Sequence, residues 1–168
     1  MLTSPFAFLR GAAAIMAADL AASTKSTGIM VQACGDMHVA NFGVFASAER
    51  NLVFGINDFD ETLPGPWEWD LKRLVASIVA SGKYLAATDQ QCKDFVLAAV
   101  KSYRNRMHEY ARMGYLELWY ETICEADILE TITGSARKRA QKIMGKAHER
   151  THMQVLGKLT DLVDSKYR

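Results

Sequence analysis

The residues best suited to chemistry lie between Cys34 and Glu61, where the chain reads CGDMHVANFGVFASAERNLVFGINDFDE. Asp36 is followed five residues later by Asn41, with His38 between them, and Asp58 and Asp60 close the stretch beside Glu61. Ionised acids are seldom buried unless a cation pairs with them, so packing gives no reason to set these acids among aromatics. Phosphoryl transfer gives one. It asks the protein for a carboxylate beside the acceptor hydroxyl and for hard oxygen ligands that hold magnesium against phosphates. An Asp and an Asn five apart on a tight loop can serve one pocket, Asp36 orienting the acceptor and Asn41 reaching the cation, with Asp58 completing the coordination. The competing reading is a polar hairpin rim in which Asp36 and Asn41 cap turns. D-x-x-x-x-N alone is a weak signal, and its company here (Gly35, His38, a hairpin of fitting length and D-F-D) strengthens it.

His38 has two functional readings. As a metal ligand it would make Asp36-x-His38 resemble the opening of a binuclear metallophosphoesterase. That chemistry needs further His and Asp ligands, and only His108, His148 and His152 remain, all in expected helices. As a brace, His38 holds the loop by hydrogen bonding, the usual state of a buried His. Cys34 could be a nucleophile, but it ends an apolar strand and reads better as a small buried residue.

The elements around these residues follow from pattern. Ser4-Pro5 is a helix start, with a capping side chain and Pro at the first helical position. A helix is expected over Phe6–Ala22, then a strand over Ile29–Ala33. Phe42–Ala46 and Leu52–Ile56 read as the arms of a hairpin. Leu63-Pro64-Gly65-Pro66 reads as a breaker. Apolar residues at helix period predict a helix over Trp67–Leu85. Asp70 at its start either caps the helix or holds the catalytic loop, and the two roles are compatible. Lys72 and Arg73 lie within reach of the phosphate side and are assigned no role. A long helix from the Thr88-Asp89 cap to about Arg112 is expected to bury Phe95, Ala99, Tyr103, Met107 and Tyr110. A third helix is expected over Leu116–Ile132, with Glu117, Glu121 and Glu125 on one face. A last helix should run from about Ala136 to about Val163, opening with the basic run Arg137, Lys138, Arg139, Lys142, Lys146 and Arg150. That run reads as a solvated face able to pair with the acidic one.

Composition narrows the class. In 168 residues, 49% hydrophobic and 23% charged, there is enough chain for one domain with a core. A net charge of +1 carries no signature of nucleic acid or membrane, and neither is expected as a partner. Phe6–Leu20 is too short and too interrupted by Arg10 and Asp19 to span a bilayer. Three cysteines without a CxxC pair fit a reducing cytoplasm. The expectation is a mainly helical α+β domain over 1–168, a helix and hairpin part (1–66) leading into a helical part (67–168).

Three stretches, SPFAFLRG from Ser4, CGDMHVANFGVF and INDFDETLPGPWEWDLKRL, resemble the bacterial family known as domain of unknown function 2252. The resemblance covers nearly the whole chain and is most specific over residues 4–74. That family in turn is similar to the aminoglycoside phosphotransferase and choline kinase branch of the kinase-like fold, whose catalytic loop reads H-G-D-x-H-x-x-N and whose metal loop reads I-D-F-E. The resemblance implies the large, C-terminal lobe of a kinase-like enzyme, with ATP and Mg2+ as cofactors and an unknown small-molecule or protein hydroxyl as acceptor. It implies that Asp36 is the catalytic base and His38 the loop-bracing residue. Asn41 and Asp58 become the ligands of the magnesium–nucleotide, Asp60 a further metal-site acid with Glu61 flanking it, and Asp70 the support of the catalytic loop. Two departures stand out. Cys34 replaces the first His, and no Gly-rich phosphate loop or strand Lys of the V-A-I-K type is present. Members of the resembled family are longer, so the chain is expected to be a piece of a longer protein, inactive or weak by itself. A metal-dependent phosphoesterase and a non-catalytic pseudoenzyme or interaction module are the alternatives.

Overall fold

Ser4 caps the first helix as its sequence predicts, accepting a hydrogen bond on Oγ from the Ala7 N–H at 3.1 Å. In the computed structural model, which describes residues 4–23, 25–49, 51–148, 162–163 and 166–167, this helix is short. α1 spans Pro5–Arg10 and ends at Gly11, and α2 resumes over Ala13–Ser23. The single helix expected over Phe6–Ala22 is therefore two. Gly11 leaves helical geometry (ψ 8°) and closes α1 with its N–H on the carbonyls of Phe8 and Leu9.

The described chain falls into two compact units. The first holds the described residues up to Gly43 together with Ile56–Glu121. Its strand β1 (Met30–Ala33) pairs antiparallel with a strand at Leu63–Pro66, β4 in chain order, in the register Met30 to Pro66 and Ala33 to Leu63. The Leu63–Pro66 breaker is thus a strand. A two-stranded ribbon tolerates this because each strand has a free edge, toward which a proline lacking its N–H can face. Thr62 fixes the ribbon's end, donating to the Ala33 carbonyl at 2.7 Å and accepting from Gln32 Nε2 at 2.9 Å.

Helix α3 (Trp67–Tyr84) follows directly and packs against α1, α2, β1 and α4 (Asp89–Tyr110). Its buried residues are Arg73, Ser77 and Gly82, while Val79 of the expected apolar stripe is 37% exposed. α4 starts at the Thr88 cap, where Thr88 and Gln91 form a reciprocal capping box. Its stripe is less buried than the pattern predicts: Phe95 and Met107 are each 48% exposed, and Tyr103 stacks on Trp67 at 5.7 Å. α5 (Tyr115–Trp119) completes the unit, with Glu117 accepting from the Gly114 N–H.

The second unit comprises Val44–Gly55 and the described residues from Thr122 onward. The hairpin arms Phe42–Ala46 (β2) and Leu52–Ile56 (β3) form as expected, and β3 also pairs with β5 (Ile123–Cys124). The third helix is therefore interrupted. Asp127 accepts from the Cys124 N–H at 2.8 Å and starts α6 (Glu125–Thr131) anew. Glu117 and Glu125 each sit in the first turn of a different helix, so Glu117, Glu121 and Glu125 share no helical face. α7 runs Gly134–His148, and Arg137 donates to the Leu129 carbonyl instead of pairing with an acid. The expected course from 149 to 161, and Arg150 with it, lies outside the described residues. Leu162–Val163 (β6) is a short strand paired with Lys166–Tyr167 (β7), not a helix end. Among the described residues no helix is long and apolar enough to cross a membrane.

The turn leaving β1 depends on glycine. Gly35 has φ +83°, and a Cβ there would collide with the backbone carbonyl of Glu61. Left-handed backbone costs a non-glycine residue roughly 1–2 kcal/mol before any collision. Gly35→Ala should therefore lower unfolding free energy by more than about 2 kcal/mol in urea titration. A change below about 0.5 kcal/mol, the scale of an ordinary surface substitution, would show that the loop does not need this conformation.

Candidate functional site

The loop from Cys34 to Asn41 has little regular structure of its own beyond a 3-10 turn at Val39–Asn41, and one face of α3 holds it. Residues 70, 73 and 77 recur at helical spacing, so they share that face. Asp70 accepts from two loop amides, Cys34 N–H at 2.7 Å and Gly35 N–H at 3.0 Å. Arg73 pairs with Asp36, Nε reaching Oδ1 at 2.7 Å and Nη2 contacting the same oxygen. Ser77, fully buried, accepts from the Val39 N–H at 3.0 Å and donates to the Leu74 carbonyl at 2.7 Å. Three successive points of the loop are thus fixed by three polar side chains of one helix.

Arg73 does more. It is 2% exposed, and its guanidinium also donates to the Leu9 carbonyl at 2.8 Å and approaches Met16 Sδ at 3.6 Å. One buried cation therefore joins α1, α2 and the loop. It does not face a phosphate site, contrary to the reach allowed for Lys72-Arg73 from the sequence. Its signal was legible only in hindsight of the helix: an Arg one turn past Asp70, facing inward.

Asn41 ties the second loop to the first. Its side chain is buried, and Nδ2 donates to the backbone carbonyls of Asp36 (3.2 Å) and Asp58 (3.0 Å), while the backbone carbonyl of Asn41 accepts from the Asn57 N–H at 2.9 Å. Two carbonyl acceptors require the amide nitrogen at that end, which leaves Oδ1 outside these bonds. Asp58 is exposed, and its Oδ1 accepts from the Asp60 N–H at 3.3 Å.

These residues meet in a cavity of about 590 Å³, lined among others by Arg10, Asp36, His38, Asn41, Asn57 and Asp58. Four of the expected site residues are therefore together. Asp70 lies behind the loop, at the position expected of a support. Asp60 is exposed on the turn after Asp58 and is not in the lining. Arg10 and Asn57 line the cavity and were not expected as site residues; only their sequence neighbourhood, beside the FLRG and INDFD stretches, pointed to them.

His38 Nε2 lies 3.3 Å from Asp36 Oδ2, and Phe6 packs edge-on against its ring. Its Nδ1 is buried without a hydrogen-bond partner among the described residues. The imidazole thus faces the Asp36 carboxylate directly. Cys34 is 4% exposed, and burial pushes its thiol above the usual range. The Asp36 backbone N–H opposes that rise, and the carboxylates of Asp70, Asp36 and Asp58 add to it. A buried thiol held in its neutral form is no nucleophile.

The donor set fits magnesium better than a transition metal. Magnesium takes one or two protein oxygens and completes its shell with water and phosphate. Asn41 and the exposed Asp58 line one cavity, and their side-chain oxygens are the donors that could meet that demand. Among the described residues no group of three or more His, Cys, Asp or Glu is arranged to hold a metal. His108 lines a separate, mainly apolar cavity with Trp67, Tyr103 and Met107.

A family model described as an uncharacterized protein conserved in bacteria, DUF2252, matches residues 1–168. The chain belongs to this family. No curated protein and no solved structure matches the DUF2252 chain.

Two outcomes follow from the geometry. Breaking a buried ion pair by removing one partner costs about 3–5 kcal/mol. Arg73→Met should lose about that much, and adding Asp36→Asn should restore more than about 1 kcal/mol in a double-mutant cycle. Strict additivity would show that the pair is not the contact that matters. Of the three cysteines, exposed Cys124 should react with a thiol reagent at pH 8 at the rate of a free thiol. Cys34 and Cys92, both buried, should react only on unfolding, and fast labelling of Cys34 in the native protein would contradict its burial.

Proposed function

We propose that this site carries out magnesium-dependent phosphoryl transfer from ATP to a hydroxyl acceptor, in the manner of the large lobe of a kinase-like enzyme. The observation that carries the reading is the gathering of Asp36, Asn41 and Asp58 in one cavity, with Asp70 fastening the loop from behind. Such transfer needs positioning and charge stabilisation more than covalent chemistry.

Each residue has a role its surroundings allow. Arg73 occupies Oδ1 of Asp36 and fixes the carboxylate's orientation, which leaves Oδ2, beside His38 Nε2, to orient the acceptor hydroxyl and take its proton. His38 is a positioning residue that keeps that oxygen directed. Asn41, pinned through its nitrogen, and Asp58 would hold magnesium through their oxygens. When bound, the ion would draw phosphate oxygens together and offset their charge. Asp60 and Glu61 belong to the approach to the site.

The test compares this chain and a longer member of the family. Calorimetric titration should show ATP binding that requires magnesium, and Asp58→Asn should abolish that requirement together with most of the affinity. In the longer protein Asp36→Asn should leave magnesium–ATP binding within about twofold and lower the rate of γ-phosphate transfer by roughly 10²–10⁴-fold, the span of general-base catalysis. ATP binding indifferent to magnesium would contradict the reading. So would hydrolysis of a simple phosphate ester without nucleotide, which would assign the cavity to a phosphoesterase.

A further inference from the structure

We infer that Arg10 is the anion-binding residue of this cavity, and that the ligand it admits is a phosphorylated compound carried with a divalent cation, not a bare metal ion. The inference rests on the phosphotransfer reading and names the group that receives the phosphate.

Arg10 ends α1, is exposed, and lines the cavity with Asp36 and Asp58. Among the described residues no ion pair or hydrogen bond engages its guanidinium. Arg73, the other arginine close by, has its donors committed to Asp36, Leu9 and Met16 and is buried away from any ligand. The two arginines therefore divide the work, one structural and one available.

The backbone that carries Arg10 is stationed relative to Asp36. The carbonyl of Leu9, its neighbour, accepts from the same guanidinium that pairs with Asp36, and it also accepts from the Ala12 N–H at 3.1 Å. The Gly11 N–H closes on the Phe8 carbonyl at 3.1 Å. The main chain on either side of Arg10 is thus tied down while the side chain is left to a ligand.

Charge then decides the ligand class. The lining presents two carboxylates, one already paired with Arg73. A free phosphate would be repelled by Asp58, and a bare divalent cation by Arg10. A cation–phosphate pair satisfies both, the cation toward Asp58 and a phosphate oxygen toward the planar donor fork of Arg10, which suits phosphate better than an ammonium does. His38 lines the same cavity, with its Nε2 held against Asp36. A volume of about 590 Å³ holds such a pair with part of the molecule that bears it. An arginine that merely complements the end of a short helix would affect folding and leave binding alone.

The test uses the full chain with magnesium pyrophosphate and, separately, manganese alone, titrated calorimetrically into wild type, Arg10→Gln and Arg10→Lys, each checked for an unchanged melting midpoint. Wild type should bind magnesium pyrophosphate. Arg10→Gln should bind it about 10- to 100-fold more weakly, the scale of a hydrogen bond to a charged group, with Arg10→Lys in between. Manganese alone should bind Arg10→Gln at least as well as wild type. Equal pyrophosphate affinity in wild type and Arg10→Gln would overturn the inference. So would wild type binding manganese but no magnesium pyrophosphate, an outcome that leaves the metal site standing. Binding of neither probe would remove the phosphotransfer reading as well.

Discussion

A buried arginine that reaches three elements is the contact on which the first unit depends. Arg73 cannot leave the interior without stranding Asp36, and its bonds to Leu9 and Asp36 make the position of α1 and the position of the loop one variable. A buried charge is tolerated only when fully paired. The site is therefore built around an ion pair that folding must complete, and the cavity inherits its geometry from that pair.

The same helix supplies the rest of the support. Asp70 and Ser77 flank Arg73 by about one turn each and hold the amides of Cys34, Gly35 and Val39. α3 therefore turns a polar face inward where a helix of this kind usually turns an apolar one. The stability given up by burying polar groups goes into the orientation of Asp36 and Asn41. The proposed function would call for such a trade, since residues locked by their supports are preorganised.

Much of this was legible in the sequence, and the failures are instructive. The strands at Met30–Ala33, Phe42–Ala46 and Leu52–Ile56 and the helices begun at Trp67 and Asp89 follow from alternation, helix period and the Thr88 cap. The loop residues Asp36, His38, Asn41 and Asp58, singled out by type and spacing, line one cavity. Asp70 was singled out as an acid in the first turn of a helix, and it holds the distant loop amides of Cys34 and Gly35. Arg73 was not, because its partner lies 37 positions away and no local pattern marks an arginine as buried. Arg10 escaped for a related reason: only the tertiary path of Arg73 brings α1 to the cavity. The strand at Leu63–Pro66 was hidden by prolines, which local rules read as breakers and an open ribbon accommodates. The interruption at Ile123–Cys124 was hidden by a helical pattern that pairing with β3 overrides.

The central claim is that α3 fixes the loop through separate polar contacts, and native-state hydrogen exchange at the amides of Cys34, Gly35 and Val39 tests it most directly. In wild type all three should exchange slowly, as amides held in hydrogen bonds by folded structure do. Asp70→Asn should accelerate Cys34 and Gly35 more than Val39, and Ser77→Ala should accelerate Val39 more than the other two. If the three amides exchange in wild type as fast as those of an exposed loop, or respond identically to both substitutions, α3 does not hold the loop in the way described.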